Sequence, residues 1–183
     1  MKLTDRVLQR WRIAKAAPYL APGARVLDVG CADGALFRVL GGRIAGGVGI
    51  DPKLERPDEG ERVRLVRGYF PDDLPDVGTF DAITLLAVFE HLDDEAQRRA
   101  VAACARLLRP GGRVILTVPE PAVDGIVHAL ARLRLVAGMA LHEHHGFDAR
   151  LTPERFAADG FALERHERFQ LGLNNLFVFR RGG

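Results

Sequence analysis

Apolar positions along the chain follow two periods, and each change of period marks the boundary of a predicted element. Apolar residues recur at helical spacing over residues 4–20, and Pro22-Gly23 predicts the end of that helix. The same spacing predicts helices over four later ranges: 34–40, 94–108, 122–140 and 152–158. Short apolar runs predict strands over residues 25–29, 48–50, 63–66, 80–89, 113–118, 161–169 and 176–180.

Polar residues at the ends of these elements predict caps and turns. Asp93 is expected to cap the helix over residues 94–108, and Thr152 the short helix that ends at Ala158. Asn174 and Asn175 are expected to serve the Gly/Asn turn that joins the last two strands.

The order of the elements predicts the topology. Strands that alternate with helices indicate an α/β fold with a mostly parallel sheet, helices on both faces and a ligand site at the carboxyl ends of the strands. Only residues 51–62 separate the second and third predicted strands, so we expect the second crossover helix to be reduced to a turn. The last two strands have no helix between them, which predicts an antiparallel last strand.

The composition is typical of one globular domain. The chain has 183 residues, of which 48% are hydrophobic and 27% charged, so we expect a single domain over residues 1–183 without a separate substrate domain. Lys and Arg number 26 against 24 Asp and Glu, and this near balance disfavours a nucleic-acid partner, which would require a strong basic excess. We expect a monomer or a homodimer.

The two cysteines, Cys31 and Cys104, are too few for a disulfide framework or a four-ligand zinc site. Cys104 lies on the apolar face of its predicted helix and is expected to be a core residue. The N-terminal residues contain no secretory signal, and charged side chains interrupt the most apolar long window, residues 122–141, so no membrane span is predicted. Together with the cysteine usage, this predicts a cytoplasmic protein.

A turn rich in small residues follows the first predicted strand, within the sequence VLDVGCADGA at residues 26–35. Gly30, Ala32 and Gly34 leave no bulky side chain between the backbone and a ligand. The segment also resembles a degraded dinucleotide fingerprint, because Asp51 lies 21 residues beyond Gly30. The turn alone therefore leaves an NAD-dependent oxidoreductase open as an alternative.

Four motifs in order resemble the class I S-adenosylmethionine-dependent methyltransferases. They are VLDVGCADGA, VGIDP at residues 48–52, FDAITLLAVFEHL at residues 80–92 and LLRPGGRVILTVP at residues 107–119. The resemblance covers nearly the whole chain. It implies a Rossmann-like three-layer sandwich, a seven-stranded sheet with an antiparallel last strand, and S-adenosyl-L-methionine as cofactor.

The resemblance also implies roles for single residues around the turn. The backbone of this segment would cradle the amino-acid end of the cofactor, at Gly30, Cys31, Ala32 and Gly34. Asp28 would orient the turn or bind the cofactor ammonium. Asp51, followed by Pro52, would accept hydrogen bonds from both ribose hydroxyls. Asp51 could instead be a helix cap after its strand.

The chain departs from the family pattern at two places. Ala32 replaces the middle glycine of the turn, which is a small change. After the third predicted strand, many relatives have Gly-Asp near the adenine, whereas this chain has Gly68-Tyr69-Phe70. Tyr69 or Phe70 could stack on the adenine, or one of two nearby acids could bind its amino group: Asp72 or Asp73. Phe70 could equally be a core residue.

A sulfonium methyl is already activated, so the enzyme mainly has to align the acceptor and exclude water. Ala87 and Val88, near the end of the strand over residues 80–89, would line the methionine portion of the cofactor. His91 is the first candidate for a general base. Alternatively, it packs against its neighbours or contacts the cofactor without taking part in proton transfer. His144 and His145, in the HEHH stretch at residues 142–145, are further candidates, or belong to a solvated loop. No metal site is predicted.

The motifs together predict methyl transfer to a small-molecule acceptor by in-line displacement. The alternatives are an NAD-dependent oxidoreductase and a non-catalytic cofactor-binding or scaffold protein of the same fold. Within the domain, residues 25–118 would bind the cofactor and residues 161–183 form the C-terminal hairpin. The N-terminal helix, residues 1–24, and a substrate cap, residues 119–160, would select the acceptor.

Overall fold

One mixed sheet of eight strands organises residues 3–120 and 147–182, the part of the chain that the computed structural model describes. In chain order the strands are β1 (Arg25–Val29), β2 (Gly46–Asp51), β3 (Asp58–Glu59), β4 (Val63–Arg67), β5 (Phe80–Leu86), β6 (Leu108–Pro119), β7 (Phe161–Phe169) and β8 (Asn174–Arg181). Across the sheet the order is β3-β4-β2-β1-β5-β6-β8-β7.

The strand directions confirm the predicted topology. Strands β4, β2, β1, β5 and β6 run parallel, and β8 lies antiparallel between β6 and β7. The prediction of seven strands was one short, because the two-residue strand β3 pairs antiparallel with β4 at the sheet edge. Asp58 and Glu59, which form β3, are exposed acids and carry no apolar pattern that could reveal a strand.

Among the described residues, four helices flank the sheet: α1 (Leu3–Ala16), α2 (Ala35–Leu40), α3 (Asp94–Leu107) and α4 (Thr152–Ala157). Neighbouring residues of a strand point to opposite faces, so Val26 packs with the core under α1 and α2, whereas Leu27 packs with the core under α3 and α4. This gives the three layers that the resemblance implies. Cys104 is fully buried in the core under α3 and α4, as predicted.

The connection from β2 to β4 contains turns and β3 but no helix, as its length predicted. Within the described residues, no helix has the length and apolar character that crossing a membrane requires.

The two predicted caps have different outcomes. Asp93 caps α3, since its Oδ1 accepts a hydrogen bond from Ala96 N at 2.8 Å. The prediction for Thr152 was wrong. A 3-10 turn at Ala149–Leu151 leads directly into α4, and Asp148 caps that turn by accepting from Arg150 N at 2.9 Å. Thr152 is the first residue of α4, and its buried hydroxyl has no hydrogen-bond partner in the described part of the chain.

The β7–β8 turn corrects the prediction for the two asparagines. Residues 170–173 form the turn, and Asn174 and Asn175 already belong to β8. Asn174 still serves the turn, because its side chain donates to Gln170. Asn175 does not serve the turn: it is buried, and its Nδ2 donates to Glu120 Oε2 at 2.8 Å.

Candidate functional site

The turn between β1 and α2 has a backbone that favours small residues. The φ angles are 72° at Gly30, 48° at Ala32 and 72° at Gly34, all in the left-handed region that glycine adopts most easily. Gly30 N donates to Ile50 O at 2.8 Å, which holds the turn against the end of β2. A Cβ atom placed on Gly30 would lie 2.2 Å from Val88 Cγ2, so the residues after β5 close over this glycine.

Asp51 connects this turn to the loop that follows β2. Its Oδ2 accepts from Ala32 N at 2.9 Å and its Oδ1 accepts from Lys53 N at 2.7 Å. Each carboxylate oxygen can accept more than one hydrogen bond, so Asp51 retains capacity for further donors such as hydroxyl groups. Pro52, which follows it, is exposed.

Asp28 is a buried acid below the turn, with 4% of its surface exposed. Its Oδ1 accepts from Thr84 Oγ1 at 2.6 Å. Burial raises the pKa of Asp28 to about 7, the hydrogen bond from Thr84 opposes that rise, and the charge of Asp51 adds to it. A cation bound beside Asp28 would favour the ionised carboxylate.

The raised pKa of Asp28 predicts a specific pH dependence of stability. The folded protein favours the protonated acid, so the free energy of unfolding should fall as pH rises from about 4 through about 7. Between pH 5 and pH 8 the contribution of Asp28 to this decrease is at most about 3 kcal/mol, at about 1.4 kcal/mol per pH unit, and Asp28→Asn should abolish that contribution. Urea unfolding of both proteins at pH 5 and pH 8 measures this. Equal changes with pH in the two proteins would contradict the prediction.

Cys31 contributes its backbone and its bulk to the turn. The side chain is buried, and burial raises the pKa of the thiol above its usual range, helped by the charges of Asp28 and Asp51. Cys31 N donates to Ile50 O at 3.3 Å. A raised thiol pKa suppresses the thiolate, so Cys31 is unsuited to be a nucleophile.

The sequence prediction missed Arg12, which lines a pocket between α1 and the turn. Asp28 and Gly30 line the same pocket from below. Burial lowers the pKa of the Arg12 guanidinium, and its Nε has no partner among the described residues. The helical spacing indicates this position in part. Arg12 lies four residues before Ala16, which is fully buried, so the two residues share one face of α1.

The segment after β5 contains three predicted residues, of which Val88 lies against the turn. Ala87 has a φ of 60°, and its N–H donates to Thr117 O at 3.0 Å and Thr117 Oγ1 at 3.1 Å. Val88 lies over Gly30. His91 ends a 3-10 turn at Phe89–His91, its N–H donates to Val88 O at 3.0 Å, and its side chain is exposed.

The four candidates for the adenine side have separate places. Phe70 is partly buried against the core under α3, and Asp72 forms an ion pair with Arg99 of that helix. Tyr69 is 69% exposed, and its N–H donates to Asp73 Oδ2 at 2.8 Å. A Cβ on Gly68 would lie 2.4 Å from Asp73 Cβ, so Asp73 is the acid that packs against the end of β4.

His144 and His145 lie outside the described residues, as does the helix predicted over residues 122–140. In the ranges 3–120 and 147–182, no group of three or more His, Cys, Asp or Glu side chains is arranged to hold a metal ion.

Comparison with known sequences identifies the family. Residues 4–166 match the protein family described as "Methyltransferase domain". The ubiquinone biosynthesis O-methyltransferase of Dechloromonas aromatica (strain RCB) is 30% identical over an alignment of 146 residues, which covers 74% of this chain and 61% of that protein. The enzyme of the same name from Pseudomonas aeruginosa (strain LESB58) is 27% identical over an alignment of 147 residues, which covers 74% of this chain and 62% of that protein. The chain thus spans about three fifths of the length of these curated relatives.

Solved structures share the fold. The 1,6-didemethyltoxoflavin-N1-methyltransferase of Burkholderia thailandensis superposes with a TM-score of 0.73 at 23% identity, covering 98% of this chain and 80% of that one. A putative methyltransferase solved in complex with the Haloferax volcanii Trm112 activator gives a TM-score of 0.72 at 19% identity, with 96% and 91% covered. With the family match and the motifs, the chain belongs to the class I S-adenosylmethionine-dependent methyltransferases.

Proposed function

We propose that the protein transfers a methyl group from S-adenosylmethionine to a small-molecule acceptor. The observation that carries the proposal is the meeting of three segments at one edge of the sheet: the turn after β1, Asp51 at the end of β2, and Ala87-Val88 after β5. Parallel α/β sheets bind ligands at this edge.

The residues present fit the cofactor. Arg12 offers a buried, unpartnered donor for a carboxylate, and Asp28 offers an acid for an ammonium group in the same pocket. Asp51 has acceptor capacity left for ribose hydroxyls. For the adenine amino group we favour Asp73, since Asp72 is paired with α3 and Phe70 packs in the core.

The cofactor supplies an activated methyl group, so the protein needs no covalent nucleophile of its own. The chain has to orient the acceptor in line with the methyl group, exclude water and accept a proton where the acceptor loses one. The curated relatives are named for O-methylation, which supports a hydroxyl group as the methylated site. We assign the choice of acceptor to the N-terminal residues 1–24 and to residues 119–160.

Thermal unfolding with S-adenosylhomocysteine and, separately, with NAD tests the cofactor assignment. At about 100 times its dissociation constant, S-adenosylhomocysteine should add roughly 2.7 kcal/mol to the free energy of unfolding. Stabilisation by NAD without stabilisation by S-adenosylhomocysteine would favour the oxidoreductase alternative. Binding of S-adenosylhomocysteine without turnover on any of a panel of phenols and amines would favour the non-catalytic alternative.

We propose His91 as the general base for a hydroxyl acceptor. His91 lies three residues after Val88, which lies over Gly30 of the turn. We therefore place its exposed side chain near the edge of the site. His91→Ala should lower kcat by about 100-fold at saturating cofactor, and the affinity for S-adenosylhomocysteine, measured by calorimetry, should stay unchanged. His145→Ala is the matched comparison. Loss of affinity with kcat retained would restrict His91 to a cofactor contact.

We also propose a cytoplasmic location, a monomer or homodimer, and no nucleic-acid partner. The support is the pair of free, buried cysteines and the near balance of basic and acidic residues.

A further inference from the structure

A buried asparagine connects two side chains at the end of the sheet where β6 stops. Asn175 of β8 is 1% exposed, and its Nδ2 donates to Glu120 Oε2 at 2.8 Å. Its Oδ1 lies 2.9 Å from His166 Nε2 on β7. The three side chains form one hydrogen-bonded network, which the assigned cofactor contacts do not use.

The charge of Glu120 sets the direction of both hydrogen bonds in this network. An ionised carboxylate only accepts, so the amide nitrogen of Asn175 faces Glu120 and its oxygen faces His166, whose Nε2 therefore donates. The His166 ring also stacks on Phe177, with the ring centroids 4.3 Å apart. The backbone N–H of Glu120 donates to Leu173 O at 2.9 Å. The network and this backbone bond hold Glu120 Oε2 in one position.

The second oxygen of Glu120 has capacity for a ligand. Arg168 Nη2 lies 3.5 Å from Oε1, and the Arg168 side chain is 61% exposed. Strong hydrogen bonds between charged groups are shorter, at about 2.7 to 2.9 Å, and exposed ion pairs are weak. The Glu120 side chain is itself partly exposed. Oε1 is therefore a fixed and accessible acceptor that can take a further donor.

Glu120 lies on the strand end next to the one that we assign to the methionine portion of the cofactor. It directly follows Pro119, the last residue of β6, and β6 is the parallel neighbour of β5. The two strand ends are joined, because Ala87 N donates to Thr117 O at 3.0 Å. An acceptor aligned with a methyl group at the end of β5 therefore has Glu120 on the neighbouring strand end.

We propose that Glu120 is an acceptor-binding residue that selects molecules with a second hydrogen-bond donor, a hydroxyl or protonated amino group, besides the atom that is methylated. Asn175 and His166 are positioning residues, which hold the carboxylate. A ligand that cannot donate to a fixed acceptor binds less well, because the acceptor loses water without gaining a partner. This rests on the proposed function, because it requires methyl transfer to a small molecule at this edge.

Methyl transfer to matched acceptors tests the selection. Catechol is compared with phenol, and tyramine with para-ethylphenol, so that each pair differs by one donor group. The native protein should show a kcat/KM about 10- to 100-fold higher for the member with the second donor in at least one pair, and Glu120→Ala should abolish that preference. The affinity for S-adenosylhomocysteine, measured by calorimetry, should stay unchanged.

Glu120→Gln distinguishes the two kinds of donor and keeps an acceptor oxygen for Asn175. It should retain part of a preference for catechol and lose a preference for tyramine, because only the ammonium group requires the negative charge. Glu164→Gln is the matched control. It removes a β7 acid that is bonded to Arg113, and it should leave every preference unchanged.

His166→Phe tests the positioning role, because it keeps a ring beside Phe177 and removes the hydrogen bond to Asn175. His166 is exposed, so the fold should tolerate the change. The KM for the preferred acceptor should rise about 3- to 10-fold with kcat unchanged. An unchanged KM would show that His166 does not position Glu120.

Turnover of both members of each pair at equal kcat/KM, or a preference that Glu120→Ala retains, would overturn the proposal and leave the proposed function intact. A preference for para-hydroxybenzoate over para-ethylphenol that Arg168→Met removes would overturn it in favour of Arg168. Binding of S-adenosylhomocysteine without turnover of any of these acceptors would remove the proposed function, and this proposal with it.

Discussion

Replacing Asp51 with alanine is expected to lower the affinity for S-adenosylhomocysteine by about 10- to 100-fold, or about 1 to 3 kcal/mol. Two losses add up. The variant removes the charged acceptor for the ribose hydroxyls, and it removes the hydrogen bonds that fix Ala32 N and Lys53 N. The turn would then be less ordered before the cofactor arrives. Isothermal titration calorimetry measures the change.

Asp58→Ala is the matched control, because it removes an exposed acid from the same edge region of the sheet without touching the turn. Asp51→Asn keeps one carbonyl oxygen and should fall between the native protein and Asp51→Ala. If Asp51→Ala binds S-adenosylhomocysteine as tightly as the native protein does, Asp51 has no role in holding the ribose.

Gly30→Ala should have the second large effect, lowering cofactor affinity by about 100-fold and the free energy of unfolding by about 1 to 3 kcal/mol. The new Cβ would lie 2.2 Å from Val88 Cγ2. In addition, Gly30 has a φ of 72°, which residues other than glycine rarely adopt. Val88 or the turn must move, and the backbone that faces the ligand moves with it. Urea unfolding and calorimetry measure the two effects.

Gly23→Ala is the control that distinguishes the steric overlap with Val88 in Gly30→Ala from the backbone strain of a positive φ. Gly23 has a φ of 73°, but a Cβ there would meet nothing within 4 Å. It should therefore lose stability without losing affinity. Adding Val88→Ala to Gly30→Ala should recover part of the affinity, because the colliding methyl group is removed. Equal binding by Gly30→Ala and Gly23→Ala would show that the close approach of Val88 does not matter.

Features that depend on neighbours in sequence were predictable. The strand that ends at Val29, the small residues of the turn and the cap at Asp93 each carry a local pattern that the structure confirms. The reduced connection after β2 followed from its length alone.

Features that depend on packing between distant segments were not predictable. Arg12 lines the pocket because α1 lies over the turn, and no spacing between Arg12 and Gly30 reveals that contact. Asn175 looked like a turn residue, yet it bonds to Glu120, 55 residues away along the chain. Thr152 failed as a cap because a 3-10 turn and Asp148 precede it, and this continuity is visible only in three dimensions.

The missing helix between β2 and β4 has a consequence for how the two halves of the site respond to the cofactor. Every residue of β4 is partly or fully accessible to solvent and both residues of β3 are exposed, whereas four of the five residues of β1 are buried. Local opening is easiest where few apolar contacts protect the backbone, so the edge beside Asp51 and Asp73 opens more readily than the centre of the sheet at β1. The adenosine half of the cofactor would then order its own binding surface, while the methionine half enters a surface that is already formed.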